Sequence, residues 1–202
     1  MNIMSESIRL DLRKQTISIV RTPTNLAAYG IIEATGMDVG RRRLDPYFDF
    51  EFSARMPSDS GVVAGDMLIV GSDYYMVMGI EPKQIIAEIG YFKMSVFKCN
   101  TIVSIYTFTT GTNNYTTLAK SNVHCLITQV RANEWSEDKA LLIPKYRGRQ
   151  QPFQLYVQAS SGIVSGYDCV LVDSAGRRFR ISKNIDVFIS DGISQTQLMW
   201  ER

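Results

Sequence analysis

Imidazole and thiol groups are the first place to look for chemistry, and this chain has one histidine and three cysteines. His124 stands beside Cys125, a pair that would suit nucleophilic catalysis if both side chains reached one point. They lie at the start of an alternating β-prone run, 123–130, so they are expected on opposite faces of a strand. Cys99, Cys125 and Cys169 are far apart and odd in number. That spacing is neither a zinc pattern nor a secreted disulfide framework, and buried free thiols are the expectation. The carboxylate pairs Asp45 with Asp49 and Glu137 with Asp138 carry no flanking signature and read as solvated surface. Gly36, Gly40 and the glycines at 61 and 65 form no phosphate cradle, because no Lys-Ser/Thr follows them. The expectation is a protein without a catalytic centre, a metal or a cofactor, and so not an enzyme.

Cations are the other candidates. Arg41, Arg42 and Arg43 form one cluster, Lys145, Arg147 and Arg149 a second, and Arg177, Arg178 and Arg180 with Lys183 a third. Such clusters either sit on solvated faces or meet phosphates or a partner's acidic surface. The first two precede aromatic-led strands, at Phe48 and Phe153, and would occupy the same place in two related domains. The net charge of +2 is too small for a chain that coats nucleic acid or an anionic membrane.

The elements that must carry these groups are repeated. Ser60-Gly61-Val62-Val63-Ala64-Gly65, followed by Asp66 and Met67-Leu68-Ile69-Val70, returns as Ser161-Gly162-Ile163-Val164-Ser165-Gly166, then Asp168 and Cys169-Val170-Leu171-Val172. A polar turn follows each, and then an alternating strand, Tyr75 and Val77 against Phe179 and Ile181. Phe48, Phe50 and Phe52 alternate upstream of the first copy as Phe153, Leu155 and Val157 do upstream of the second. Thr16-Ile17-Ser18-Ile19-Val20 has a partner in Ile102-Val103-Ser104-Ile105-Tyr106. The repeated Gly65-Asp66, answered by Gly166 and Asp168, reads as fold grammar: a permissive backbone, then a side chain that caps its own turn.

Short β-prone runs divided by turn residues predict a mainly all-β chain of two tandem small barrels or sandwiches, 1–100 and 101–202, arising by internal duplication. A short N-terminal helix is expected within 5–15, and 25–46 reads as a long loop. Residues 131–149 read as an inserted arm around Trp135 and a basic loop. The run 85–99 reads as one long strand broken near Gly90 that bends or pairs beyond its own domain. The chain is 45% hydrophobic and 21% charged, ordinary for a globular fold. No apolar stretch approaches the roughly 20 residues that span a bilayer, and the first residues do not show the basic segment and apolar core expected of a secretory signal. Synthesis in the cytosol, without a membrane partner, is the expectation.

The order of these features resembles the neck proteins of tailed bacteriophages, the head-tail joining, head-closure, stopper or connector family. The resemblance rests on Thr16-Ile17-Ser18-Ile19-Val20-Arg21, a Gly-containing loop, an alternating strand, and Gly65-Asp66-Met67-Leu68-Ile69-Val70 with Tyr74-Tyr75-Met76-Val77. The second half follows through Gly166, Asp168, Val170, Val172, Phe179 and Ile181, with Tyr167 inserted and Arg177-Arg178-Phe179 in place of the aromatic-Tyr pair. Such a resemblance implies a structural virion protein in a homo-oligomeric ring, commonly hexameric or dodecameric. The ring would sit between a portal or adaptor and a tail or terminator protein, with DNA passing through its lumen without sequence specificity. Tail-terminator, tail-tube and baseplate proteins carry similar barrels, and a two-barrel nucleic-acid-binding module is the alternative of another class.

Overall fold

The computed structural model describes residues 15–21, 24–34, 51–81, 84–86, 89–109, 114–129, 153–163, 169–181, 188–190 and 192–201. The expected N-terminal helix, the arm 131–149, Gly166, Asp168, Lys183 and the first two cation clusters lie outside these residues, apart from Gln15 at the edge of the helix expectation. The described residues are almost wholly β. The first half contains β1 (Gln15–Arg21), β2 (Thr24–Ala34), β3 (Glu51–Pro57), β4 (Met67–Val70), β5 (Asp73–Ile80), β6 (Gln84–Ile86) and β7 (Ile89–Lys98). The second contains β8 (Thr101–Thr109), β9 (Asn114–Gln129), β10 (Phe153–Gln158), β11 (Cys169–Asp173), β12 (Arg178–Arg180), β13 (Phe188–Ser190) and β14 (Ile193–Glu201), with a single 3-10 turn at Ala159–Ser161.

The first sheet runs β3-β2-β1-β4-β5-β7-β6, and β3 also pairs with β7, which closes six strands into a barrel. The second runs β10-β9-β8-β11-β12-β14-β13, with β10 also pairing β14. Adding seven to each strand number of the first order gives the second. The chain is therefore mainly all-β and built as tandem barrels, and the main division between its two compact units falls between Cys99 and Asn100.

Register carries the repeat down to single residues. Leu68 lies between Ile19 of β1 and Tyr75 of β5. Leu171 lies between Ile105 of β8 and Phe179 of β12. All six are buried, because each central strand turns alternate residues toward the interior of its sheet, a closed barrel in the first unit and a curled half-barrel in the second. Phe52 meets Tyr75 edge to face, with ring centroids 5.4 Å apart at 77°, and Phe153 meets Phe179 at 5.5 Å and 79°. An aromatic pair of this geometry contributes about 0.5–1.5 kcal/mol beyond its buried area. Phe52, Ala54 and Met56 are thus the counterparts of Phe153, Leu155 and Val157. The expected match of Phe48, Phe50 and Phe52 to Phe153, Leu155 and Val157 is therefore four residues out of register, and Phe48 and Phe50 lie outside the described residues. Gly61 and Gly162 both take a left-handed backbone, φ 70° and 81°. Each turns the chain so that the next residue, Val62 or Ile163, enters the core.

Two further expectations are corrected. Residues 24–34 are not loop: they form β2, paired in regular antiparallel register with β1 from Arg21↔Thr24 to Gln15↔Gly30. The break in 85–99 falls between Ile86 and Ile89, and among the described residues the pairings of β7 lie within its own sheet. It pairs with β3 along one side and with β5 and then β6 along the other, which accounts for its ten residues.

Candidate functional site

Charged side chains cluster at three turns, and each cluster is built from strand ends. The first lies before β4. Asp66 is 2% exposed, and its Oδ2 accepts a hydrogen bond from the Val63 N–H at 2.8 Å, capping its own turn. Arg21, at the end of β1, donates through Nε to Oδ1 at 2.8 Å and through NH2 to Oδ2 at 2.6 Å. The same NH2 reaches the Gly61 carbonyl at 2.6 Å. The hydrogen bonds that Arg21 donates to Asp66 raise the pKa of its guanidinium still further, against a smaller opposing effect of burial. One ion pair therefore ties β1, the Gly61 turn and the start of β4 together. Arg21→Ala removes both guanidinium hydrogen bonds from a buried carboxylate that keeps the Val63 N–H, and is expected to cost the first barrel about 1–3 kcal/mol. Solvent access at Arg21 keeps this below the loss from a fully buried pair. Denaturant unfolding of the variant checks it.

The other two clusters lie at the equivalent hairpins β4–β5 and β11–β12. In the first, Lys98 Nζ donates to Asp73 Oδ2 at 2.8 Å and stands 5.9 Å from the Tyr75 ring centroid. Hydrogen bonding to Asp73 raises the Lys98 pKa, and burial is the largest cause of a raised Tyr75 pKa. In the second, Asp173 Oδ1 accepts the N–H groups of Ala175 at 3.0 Å and Arg177 at 2.8 Å, and Oδ2 accepts Arg177 Nε at 2.7 Å. Arg177 stands 6.0 Å from the Phe179 ring centroid. At each hairpin an acid, a cation and an aromatic ring meet, the cation coming from β7 in the first (Lys98) and from the turn itself in the second (Arg177).

Among the sequence candidates, Gly65 and Asp66 sit in the first clasp, with Gly65 at φ 85°. Arg177 is engaged by Asp173. Arg178 is exposed on β12 with Glu201 opposite it in register. Arg180 lies one strand position beyond Phe179, its guanidinium 4.9 Å from the Tyr115 ring centroid. Arg41, Arg42, Arg43, Lys145, Arg147 and Arg149 lie outside the described residues. The sequence reading missed Arg21 as the partner of Asp66. The only signal was an arginine ending a β-branched strand, 45 residues from its acid.

His124 and Cys125 take opposite faces of β9. Cys125 is in the core of the second unit, and His124 is half-buried opposite Ile102. Burial lowers the His124 pKa. The folded state therefore takes up this proton less readily than the unfolded chain. Stability from this group is complete above the ordinary imidazole pKa of about 6.5 and declines as pH falls through it toward the folded value. With one histidine in the chain, His124→Gln is expected to flatten the melting temperature between neutral and mildly acid pH relative to wild type. Burial also pushes the Cys99 thiol up to about 12, which suits an inert structural thiol. Among the described residues no group of three His, Cys, Asp or Glu side chains could hold a metal ion, and no helix is long and apolar enough to cross a membrane.

In comparisons with protein-family models, curated proteins and solved structures, no match to this chain was found.

Proposed function

We propose that this chain is a structural assembly protein of a tailed-phage neck, a ring-forming subunit that joins head to tail around the DNA path and acts without catalysis. One observation carries the reading. The Gly-Asp, apolar strand, turn, Tyr-x-Val hairpin on which the family resemblance rests is an internal part of a six-stranded barrel, Asp66 capping the turn and Leu68 and Tyr75 filling the core. A second unit repeats the strand order. The described acids at the three turns are spent on holding those turns, which suits a scaffold more than a reacting centre. Arg177 is likewise held by Asp173, which weakens the nucleic-acid-module reading for that residue.

Immunogold labelling of particles from cells that express the chain tests this. Label at the head-tail junction is the expected result. Label along the tail or at its tip selects a tail-tube or baseplate role, and the absence of the chain from purified particles overturns the proposal.

A further inference from the structure

The two units share a strand order but not the polarity of their interiors. Register fixes the comparison: Tyr75↔Lys98 and Met76↔Phe97 in the first unit answer Phe179↔Trp200 and Arg180↔Met199 in the second. Val96 of β7 and Leu198 of β14 are therefore equivalent, and both belong to the core of their own unit. Going back along the same face of β7 come Met94, which is buried, and Phe92, which packs against the core. The same face of β14 presents Thr196 and Ser194, which are 2% and 0% exposed. Two apolar side chains have given way to two buried hydroxyls.

A third hydroxyl stands at the same end of the second unit. Ser161 closes the 3-10 turn that follows β10 and is 6% exposed. Ser194 ties this turn to β14, since its Oγ donates to the carbonyl of Ile163 at 3.3 Å. That bond uses the one hydroxyl proton of Ser194 and leaves its oxygen able to accept. Ser161 Oγ and Thr196 Oγ1 are buried with no hydrogen-bond partner among the described residues. A buried hydroxyl without a partner is unfavourable, and in folded proteins ordered water commonly satisfies such groups. Ser60, the counterpart of Ser161, is also without a partner among the described residues, but the strand equivalent to β14 carries Phe92 and Met94 in place of the two hydroxyls.

We infer that buried water binds at this end of the second unit, bonded to Thr196 Oγ1 and to the hydroxyls of Ser161 and Ser194. A buried water takes about two to four polar partners, and this group supplies enough of them. Ser194 and Thr196 are successive residues on one strand face, about 7 Å apart, a gap that one or two water molecules bridge. The chemistry selects water over an ion, because the three hydroxyls are neutral and each can accept a hydrogen bond. Lys120 also reaches this turn, but it is exposed and its Nζ donates to the Ser160 carbonyl at 2.7 Å. Water so placed joins the 159–163 turn to β14 where the first unit relies on apolar packing. The site is a property of the second copy and does not depend on the neck reading.

Oxygen-17 magnetic relaxation dispersion of the full chain, which counts long-lived internal waters, provides the test. Thr196→Val removes the hydroxyl from a side chain of similar shape, and Thr196→Ser keeps it. Thr196→Val is expected to lower the count relative to wild type, and Thr196→Ser to leave it unchanged. A count in Thr196→Val equal to or above that of wild type overturns the inference. An equal fall in both variants also overturns it, since the loss would then follow from looser packing and not from the missing hydroxyl.

Discussion

Gly30→Val is expected to unfold the first barrel or to destabilise it by more than about 3 kcal/mol, and Gly30→Ala by about 2–3 kcal/mol. A Cβ at this position would stand 2.7 Å from the Arg55 carbonyl oxygen, 2.8 Å from Met56 Cγ and 2.9 Å from Ile17 Cδ1. The first of these is backbone of β3, held in register against β2 through Ile31↔Arg55, so it cannot step aside as a flexible side-chain end can. The position faces the interior between Ala28 and Ile32, where β2 approaches β3 closely. Hydrogen exchange of peptides from 15–34 and 51–80 reads the effect. A Gly30→Ala variant within about 0.5 kcal/mol of wild type, the range of an ordinary surface change, would show that β2 does not lie where it is described.

The second large effect comes as a pair. Leu68→Ala and Leu171→Ala are each expected to cost about 2–5 kcal/mol, since both side chains are fully buried and leave cavities in the core of their own sheet. Their surroundings correspond, Ile19 and Tyr75 in one case and Ile105 and Phe179 in the other, so the two losses should be similar. The core residues fall into two separate clusters. Each variant should therefore lose exchange protection mainly in its own sheet. Equal loss across both sheets from either variant would contradict two self-contained cores.

The tandem repeat was legible because its signals are local: Ser60-Gly61 and Ser161-Gly162 fix turns, and short apolar runs with polar turns behind them fix β4 and β11. β2 was not legible. Two of its inward positions are Ala28 and Gly30, small residues that suit close packing in the barrel and that, in a sequence, look like the punctuation of a loop. The register of Phe52 was hidden by its neighbours, since Phe48, Phe50 and Phe52 alternate equally well and only contact with Tyr75 selects among them. The Asp66 turn was readable, whereas its clasp by Arg21 was not, because hydrogen bonding across β1 and β4 depends on a pairing no local pattern encodes. The third arginine cluster looked like a single patch. Strand alternation splits it, turning Arg178 and Arg180 away from the buried Phe179 and leaving Arg177 in the turn with Asp173.

Cross-strand proton contacts measured by NMR test the duplicated barrel most directly. Contacts are expected from Leu68 to both Ile19 and Tyr75, from Leu171 to both Ile105 and Phe179, and across the closing ladder at Ala54 and Met94. Finding β4 and β11 joined in one continuous sheet, or the Leu68 set without the Leu171 set, would contradict it.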